Sequence, residues 1–374
     1  MRLGVDAREI QDGVVTGIGR SLANFISYFT GHDSPHELVL FAEKRLPIPL
    51  SSRCREVTIP PGPTFLWDQC KLPLHLKRER IDLFYSPYYK LPLLSSIPSV
   101  NQVLDLMYLV FPPYIQDLGI FKRLYYATFG RAFSNKAINI ITDSEHARDD
   151  IIRLWKIRPE KITVIPLGAA DRYVPVTDKE TCARVRLKFN LPERYILYLG
   201  NFKPHKNVVS LVQAFARIRE EGKDCKLVLA GPLDAHGLAI KSQVTAAGLE
   251  EDVVFTGAIR EEDLPEVILS LADLFVFPSL YEGFGIPPLE AMACGTPVIA
   301  SQRTAIPEVV GNAGLLVDPL NIDELAQAIL SLLQNRDLRR TYAKKGLKRV
   351  EQFRNEQTAG SLYRHITKIL ETRL

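Results

Sequence analysis

Short apolar runs alternate with amphipathic, helix-spaced stretches along the whole chain. In the first half the runs are Leu3–Val5, Leu38–Phe41, Leu83–Tyr85, Ser99–Val103 and Asn139–Ile141. In the second half they are Tyr195–Tyr198, Lys226–Ala230, Val253–Phe255, Leu274–Phe277 and Val298–Ala300. Apolar runs of this length with no polar alternation read as strands buried on both faces. Strands separated by helices imply a parallel sheet with helices on both sides, here twice over. The fold class is therefore α/β with two domains. The joint is expected at VIPLGAADRYVP, Val164 to Pro175, where a strand gives way to Pro, Gly and polar residues. Residues 321–374 carry helical patterns and no further strand. The last helix, about Asn355 to Thr372, is assigned to the first domain by packing back on it. This gives a first domain of 1–170 with 355–374, and a second of 171–354. Ligands of open α/β sheets bind beyond the carboxyl ends of the strands. If the two sheets face each other, the cleft between them is the expected site.

The densest chemistry lies in DLFVFPSLYEGFGIPPLEAMACGTPVIAS, Asp273 to Ser301. A strand ends at Phe277, a loop carries Glu282, Gly283, Phe284 and Gly285, and Pro287 and Pro288 suit the first positions of a helix. Gly295 suits that helix's C-terminal cap, and Val298 opens the next strand. Glycines there let backbone approach a phosphate, and a helix N-terminus supplies unpaired N–H groups and partial positive charge. Glu282, in the loop, and Glu290, expected in the first helical turn, do not suit phosphate. Sugar hydroxyls are the natural partners for them. The motif reads as a nucleotide-sugar site.

Length and composition narrow the choice. The 374 residues suit two ordinary domains, and 46% hydrophobic with 24% charged residues is the balance of a soluble globular protein. No uncharged apolar run is long enough to span a membrane. Arg2, Asp6, Arg8 and Glu9 rule out a secretory signal at the N-terminus. The five cysteines are scattered and never C-x-x-C, which fits reduced thiols and a cytoplasmic protein rather than a structural zinc site. Net charge is only +4, against nucleic acid as a partner; the first 170 residues carry 21 Lys and Arg against 17 Asp and Glu, which accounts for the whole excess.

Other motifs admit two readings each. TGIGRS, Thr16 to Ser21, follows the first strand and opens a helix near Arg20. Gly17 and Gly19 permit close approach to an anion, or the segment is a plain strand-to-helix turn. It lacks the third glycine of a dinucleotide fingerprint, so a nicotinamide-dependent dehydrogenase is excluded. LGNFKPHKN, Leu199 to Asn207, places Asn201, Lys203, His205 and Lys206 after the strand that opens the second domain. A lysine there neutralises a diphosphate, or the segment is a solvated basic turn. Asp105 ends a strand of the first domain and either binds a hydroxyl of sugar or acceptor or caps the following turn. In FKRLYYATFGRAFSNKA, Phe121 to Ala137, Lys122, Arg123, Arg131 and Lys136 are mixed with aromatics. That suits either an anionic membrane surface or an amphipathic helix with its rings in the core.

Taken together, these segments resemble the large family of retaining, GT-B-fold glycosyltransferases, glycosyl transferases group 1, which includes bacterial α-mannosyltransferases and sucrose synthases. The resemblance runs from VDAREIQDGVVTGIGR through TDSEHARDDII and ITVIPLGA to AIPEVVGNAGLLVDPLNIDELAQAI. Its most specific element is SLYEGFGIPPLEAMACGTPVIAS, with the two glutamates eight positions apart. It implies two facing Rossmann-like domains with an interdomain cleft. By the same resemblance, Glu282 takes the donor sugar's hydroxyls, and Gly283, Phe284, Gly285 and Ile286 contact sugar and phosphate through their backbone. Glu290 takes the ribose, Lys206 the diphosphate, and Gly17 and Gly19 fall in the glycine loop near the reacting centre. The base pocket falls around Gly231 and Gly257–Arg260.

The family commonly places His-Asp where this chain has Leu104-Asp105, and often a basic residue where it has Asn201 or an Arg where it has His205. Lys206 then carries most of the diphosphate charge, with Lys203 as a helper. The implied activity is metal-independent transfer of a hexose, with retention, from a nucleoside diphosphate sugar. GDP-mannose is favoured over UDP-glucose. The acceptor is a glycan or lipid-linked glycan in polysaccharide biosynthesis, and the location the cytoplasm, including the inner face of the membrane. Front-face attack is implied, with the departing phosphate oxygen deprotonating the acceptor. The competing functions are a GT-B-fold nucleotide-sugar epimerase and a catalytically weakened nucleotide- or glycan-binding partner subunit.

Overall fold

Successive residues of one strand bury themselves on opposite faces of a sheet: Leu38 and Leu40 join one apolar cluster, Val39 and Phe41 another. This is the arrangement that fully apolar runs require. The computed structural model describes residues 1–10, 17–48, 50–111, 119–222 and 225–372, and the side chains of 119–127 lie outside that description. The chain forms two compact units, Met1–Gly168 with the C-terminal helix Asn355–Glu371, and Ala169–Arg354. Both are Rossmann-like.

In the first unit the strands are β1 (Arg2–Asp6), β2 (Glu37–Ala42), β3 (Cys54–Thr58), β4 (Leu83–Ser86), β5 (Ser99–Gln102), β6 (Asn139–Thr142) and β7 (Ile162–Val164). They form one parallel sheet in the order β3-β2-β1-β4-β5-β6-β7. Leu3 pairs with Leu38 on one side and Leu83 on the other, so β1 is central. One face is covered by Leu22, Phe25, Ile26 and Phe29 of the helix Gly17–Gly31, together with Leu362, Ile366 and Leu370 of the C-terminal helix. Those last three are four residues apart, on one stripe of their helix. Where the two helices meet, a Cβ at Gly360 would come within 2.9 Å of the Tyr28 hydroxyl, so a side chain there would force the Tyr28 ring to shift. The other face is filled by Trp67, Leu76, Phe84, Phe133 and Trp155.

The second unit has β8 (Tyr195–Leu199), β9 (Lys226–Ala230), β10 (Val253–Gly257), β11 (Leu274–Phe277), β12 (Val298–Ser301) and β13 (Leu315–Val317). They pair in parallel in the order β10-β9-β8-β11-β12-β13. The order runs outward in opposite directions from β8 and β11. Their adjacent carboxyl ends are therefore the topological switch point, the place where an open α/β sheet leaves a crevice. Where the chain enters and leaves this unit it pairs with itself, the Ala169 amide donating to the Phe353 carbonyl at 2.9 Å. Among the described residues no helix is long and apolar enough to cross a membrane.

Candidate functional site

Two loops meet at the switch point of the second unit. After β8 the chain makes a single 3₁₀ turn, Pro204–Lys206, before the helix Val208–Glu220. After β11 it runs through Pro278 to Gly285 into the helix Ile286–Ala293. The Leu280 amide donates to the His205 carbonyl at 2.6 Å and so joins the two loops directly.

Asn207 ties them more firmly. It sits in the left-handed region (φ 54°), and its side-chain amide donates to the carbonyls of Pro278 at 3.1 Å and Pro319 at 2.8 Å. The Ser210 hydroxyl in turn donates to its Oδ1 at 2.8 Å. One side chain thus holds the segment after β8 to the end of β11 and to the loop after β13. Asn is well suited, since it tolerates that backbone region and carries both donors and an acceptor.

Within this frame Lys206 Nζ stands 2.6 Å from Glu282 Oε1, with both side chains nearly buried. Lys206 also lies over the Phe277 ring, 5.0 Å from its centroid. The buried Ser279 hydroxyl is 2.6 Å from the same Glu282 oxygen and 2.9 Å from the His205 carbonyl. With a single proton it donates to one of these at a time. The Glu282 amide donates to Thr304 Oγ1 at 3.0 Å, which fixes the backbone beside the carboxylate.

Beyond Glu282, Gly283 and Gly285 are buried, and Gly285 has φ 110°, which only glycine adopts without strain. Phe284 turns its ring into the core, edge-on to Phe353 at 5.9 Å, which leaves its backbone to line the loop. Pro287 and Pro288 occupy early positions of the helix, so their missing N–H groups cost no helical bond.

The neighbouring β8–β9 edge is equally closed to side chains. A Cβ at Gly231 would lie 2.1 Å from the Gly200 carbonyl oxygen, so only glycine fits between those loops.

Three expectations change here. His205 does not add to the positive charge: burial, then Lys206 and Lys203, push its ring down to about 3, so it is neutral. Its burial was not visible in a segment that reads as a basic turn. Glu290 is the fifth residue of its helix rather than part of the first turn, and it is buried. The side chain of Asn201 accepts from the Lys203 amide at 3.2 Å, within its own turn, while Lys203 is exposed. Lys206 is consequently the buried cation of this segment.

In the first unit, Gly17 is exposed at the start of its helix and Gly19 is buried; Thr16, in the same motif, lies outside the described residues. Asp105 lies three residues past β5, and its Oδ1 accepts from the Met107 amide at 3.0 Å, two residues on. The structure adds a buried neighbour that sequence reasoning missed. Tyr85 donates to Gln102 Oε1 at 2.6 Å, and Gln102 donates to Asp143 Oδ1 at 2.9 Å. Burial pushes the Asp143 carboxyl well above the usual carboxylate range, and Asp105 adds to this. In the helix Gly119–Lys136, Phe129 and Phe133 pack in the core while Arg131 and Lys136 are exposed. The side chains of Phe121, Lys122, Arg123, Tyr125 and Tyr126 lie outside the described residues.

Comparison with known proteins agrees with this architecture. The family model for glycosyl transferases group 1 matches residues 180–349, and that for glycosyltransferase family 4 matches residues 15–171. O-antigen chain mannosyltransferase B of Escherichia coli is 37% identical over 216 residues, covering 57% of this chain and 56% of that protein. The MMP α-(1→4)-mannosyltransferase of Mycolicibacterium hassiacum is 35% identical over 205 residues, covering 54% and 47%. These matches span about half the length of the curated relatives. Among solved structures, sucrose-phosphate synthase from Thermosynechococcus elongatus superposes with a TM-score of 0.77 at 25% identity, covering 98% of this chain and 99% of that one.

Proposed function

The chain belongs to the GT-B glycosyltransferases, and on that premise we propose that it transfers a hexosyl group from a nucleoside diphosphate sugar to an acceptor hydroxyl. The observation that carries the reading is the Lys206–Glu282 pair, set beside two buried glycines at the start of a helix on the switch point of the second unit. A cation, the backbone of a glycine loop and a helix N-terminus suit a diphosphate. A carboxylate beside them suits sugar hydroxyls. In this reading Lys206 leaves Glu282 for the diphosphate, and Glu282 is freed for the donor sugar. The amides of Gly283 to Ile286 contact sugar and phosphate, and Glu290 takes the ribose.

The chemistry asked of these groups is stabilisation of the leaving diphosphate. Lys206 and the helix N-terminus place positive charge where negative charge develops, without a metal ion. Glu282, bonded to Lys206 and Ser279, holds the sugar and is not the nucleophile. Attack then comes on the same face as departure, with the phosphate oxygen taking the acceptor proton and configuration retained. Mannose is the favoured sugar because two of the similar proteins are named as mannosyltransferases, and GDP-mannose is the donor that the sequence resemblance favours. The acceptor is a glycan or lipid-linked glycan. A direct test is release of sugar from GDP-mannose, UDP-glucose and ADP-glucose, with and without oligomannose acceptors. Turnover of one donor, accelerated by acceptor, supports the reading; inert donors throughout reject it.

A further inference from the structure

Among the described residues, the large apolar side chains exposed on the first unit fall in one stretch of chain. They are Leu50, Phe65, Leu66, Leu74 and Leu94, with Phe65 58%, Leu74 71% and Leu94 82% exposed. Three of them ride on the continuous helical segment from Thr64 to Arg78.

That segment has an unusual feature that explains why they coincide. Its middle, Trp67–Lys71, is a π-helical turn, with the Leu72 amide reaching back five residues to the Trp67 carbonyl. Pro73, which has no N–H, follows immediately and cannot continue the ordinary ladder at its own position. A wide turn absorbs one extra residue. Leu66 and Leu74, eight positions apart, therefore come close to the two-turn spacing of about seven residues. The same turn buries Trp67, Asp68 and Gln69 in succession. Gln69 then donates to the Leu91 carbonyl at 3.0 Å and accepts from the Leu93 amide at 2.8 Å, which pins Leu94 beside the helix.

The charges on this segment are one-sided. From Thr64 to Arg80 every exposed charged residue is basic, namely Lys77, Arg78 and Arg80. Both acids are buried and paired: Asp68 with Arg8 at 2.7 Å and Glu79 with Arg55 at 2.9 Å. A protruding Phe and Leu set on a helical segment whose exposed charges are all basic, the next exposed acid being Asp82, bonded to the Arg2 amide, matches the boundary between anionic headgroups and acyl chains.

We propose that the first unit docks on an anionic membrane surface through Phe65, Leu66, Leu74 and Leu94, with Lys77 and Arg78 on the headgroups. This moves the membrane contact away from the helix Gly119–Lys136, where Phe129 and Phe133 are spent in the core. The contact holds whatever donor the second unit takes, so its test does not depend on the proposed activity.

The experiment is co-sedimentation of the full chain with vesicles of equal parts phosphatidylglycerol and phosphatidylcholine, and with phosphatidylcholine alone. The expected result is binding to the anionic vesicles only, weakened by salt. Lys77→Glu with Arg78→Glu, and separately Leu74→Ser with Leu94→Ser, each lower the partition about tenfold or more. Melting temperature and donor hydrolysis without vesicles stay unchanged in both, and Arg131→Glu on the other helix leaves binding intact. No binding by the wild type, or binding indifferent to both pairs of substitutions, overturns the proposal. So does a dimer in solution that Leu74→Ser with Leu94→Ser dissolves, which would give the patch to a second copy of the chain.

Discussion

Lys206 and Glu282, 76 positions apart in sequence, hold each other at 2.6 Å across the adjacent ends of β8 and β11. The two groups that the proposed function assigns to the diphosphate and to the sugar are each other's counter-ion. Each keeps the other from being a buried, unpaired charge, and each must be released when donor enters. Removing one partner therefore acts twice. Lys206→Ala and Glu282→Ala are each expected to lower donor turnover ~100-fold or more, and to destabilise the second unit by about 2–4 kcal/mol through the charge left behind. Lys206→Met with Glu282→Gln should recover most of the stability and none of the turnover. Urea unfolding with initial rates on the same preparations separates the two effects.

Asn207 supports this pair by tying together the loops that carry it. Asn207→Gly keeps the left-handed backbone but loses the bonds to Pro278 and Pro319. It should cost about 1–3 kcal/mol, from the buried carbonyls left unmet. Asn207→Ala should cost a further ~1 kcal/mol from the backbone conformation. In both, the KM for donor should rise more than kcat falls, since the loops shift relative to each other. Equal losses in kcat with unchanged KM would point to a role at the reacting atoms instead.

His205 gives stability a defined pH dependence. Its ring is neutral in the fold, held down to about 3, whereas the unfolded chain protonates it near 6.5. A depressed base contributes stability that is complete above 6.5 and lost as pH falls from there towards 3. The loss is about 1.4 kcal/mol per pH unit within that window. His205→Gln should remove that part of the slope. Denaturant midpoints of the two proteins across the window check this, and parallel curves would contradict it.

Asp143 acts with the opposite sign. Burial raises its folded pKa, so the folded form keeps a proton that the unfolded chain releases above 3.8. Its contribution is present at low pH and declines as pH rises from 3.8 towards the raised value. Asp143→Asn still accepts from Gln102 and carries no charge. It should flatten that decline, with gained stability at pH 7 relative to pH 4 as the readout.

The central elements of both sheets are legible from the sequence because they are buried on both faces. Leu274–Phe277 begins and ends where its apolar run does. Edge strands are not so marked. CREVT of β3 is half-exposed, and β13 is only three residues long, so neither interrupts the surrounding pattern enough to be read as a strand. The site shows the same division. Glycines, prolines and glutamates of the loop and helix after β11 mark the candidate site by local chemistry alone. That His205 is buried, that Asn201 serves its own turn, and that Lys206 reaches Glu282 all depend on β8 lying beside β11. Strand order is a property of the assembled sheet, and no local pattern encodes it.

The measurement that bears most directly on the nucleotide-sugar site is a thermal-shift panel of GDP, UDP and ADP, each with and without its common sugars, on the wild type and Lys206→Ala. A nucleotide at 100 times its dissociation constant should add ~2.7 kcal/mol of stability. The expected result is a clear shift with one nucleotide, GDP favoured, that is largely lost in Lys206→Ala. No shift with any nucleotide, or an equal shift in the variant, would contradict the assignment of the Lys206–Glu282 site to a nucleoside diphosphate sugar.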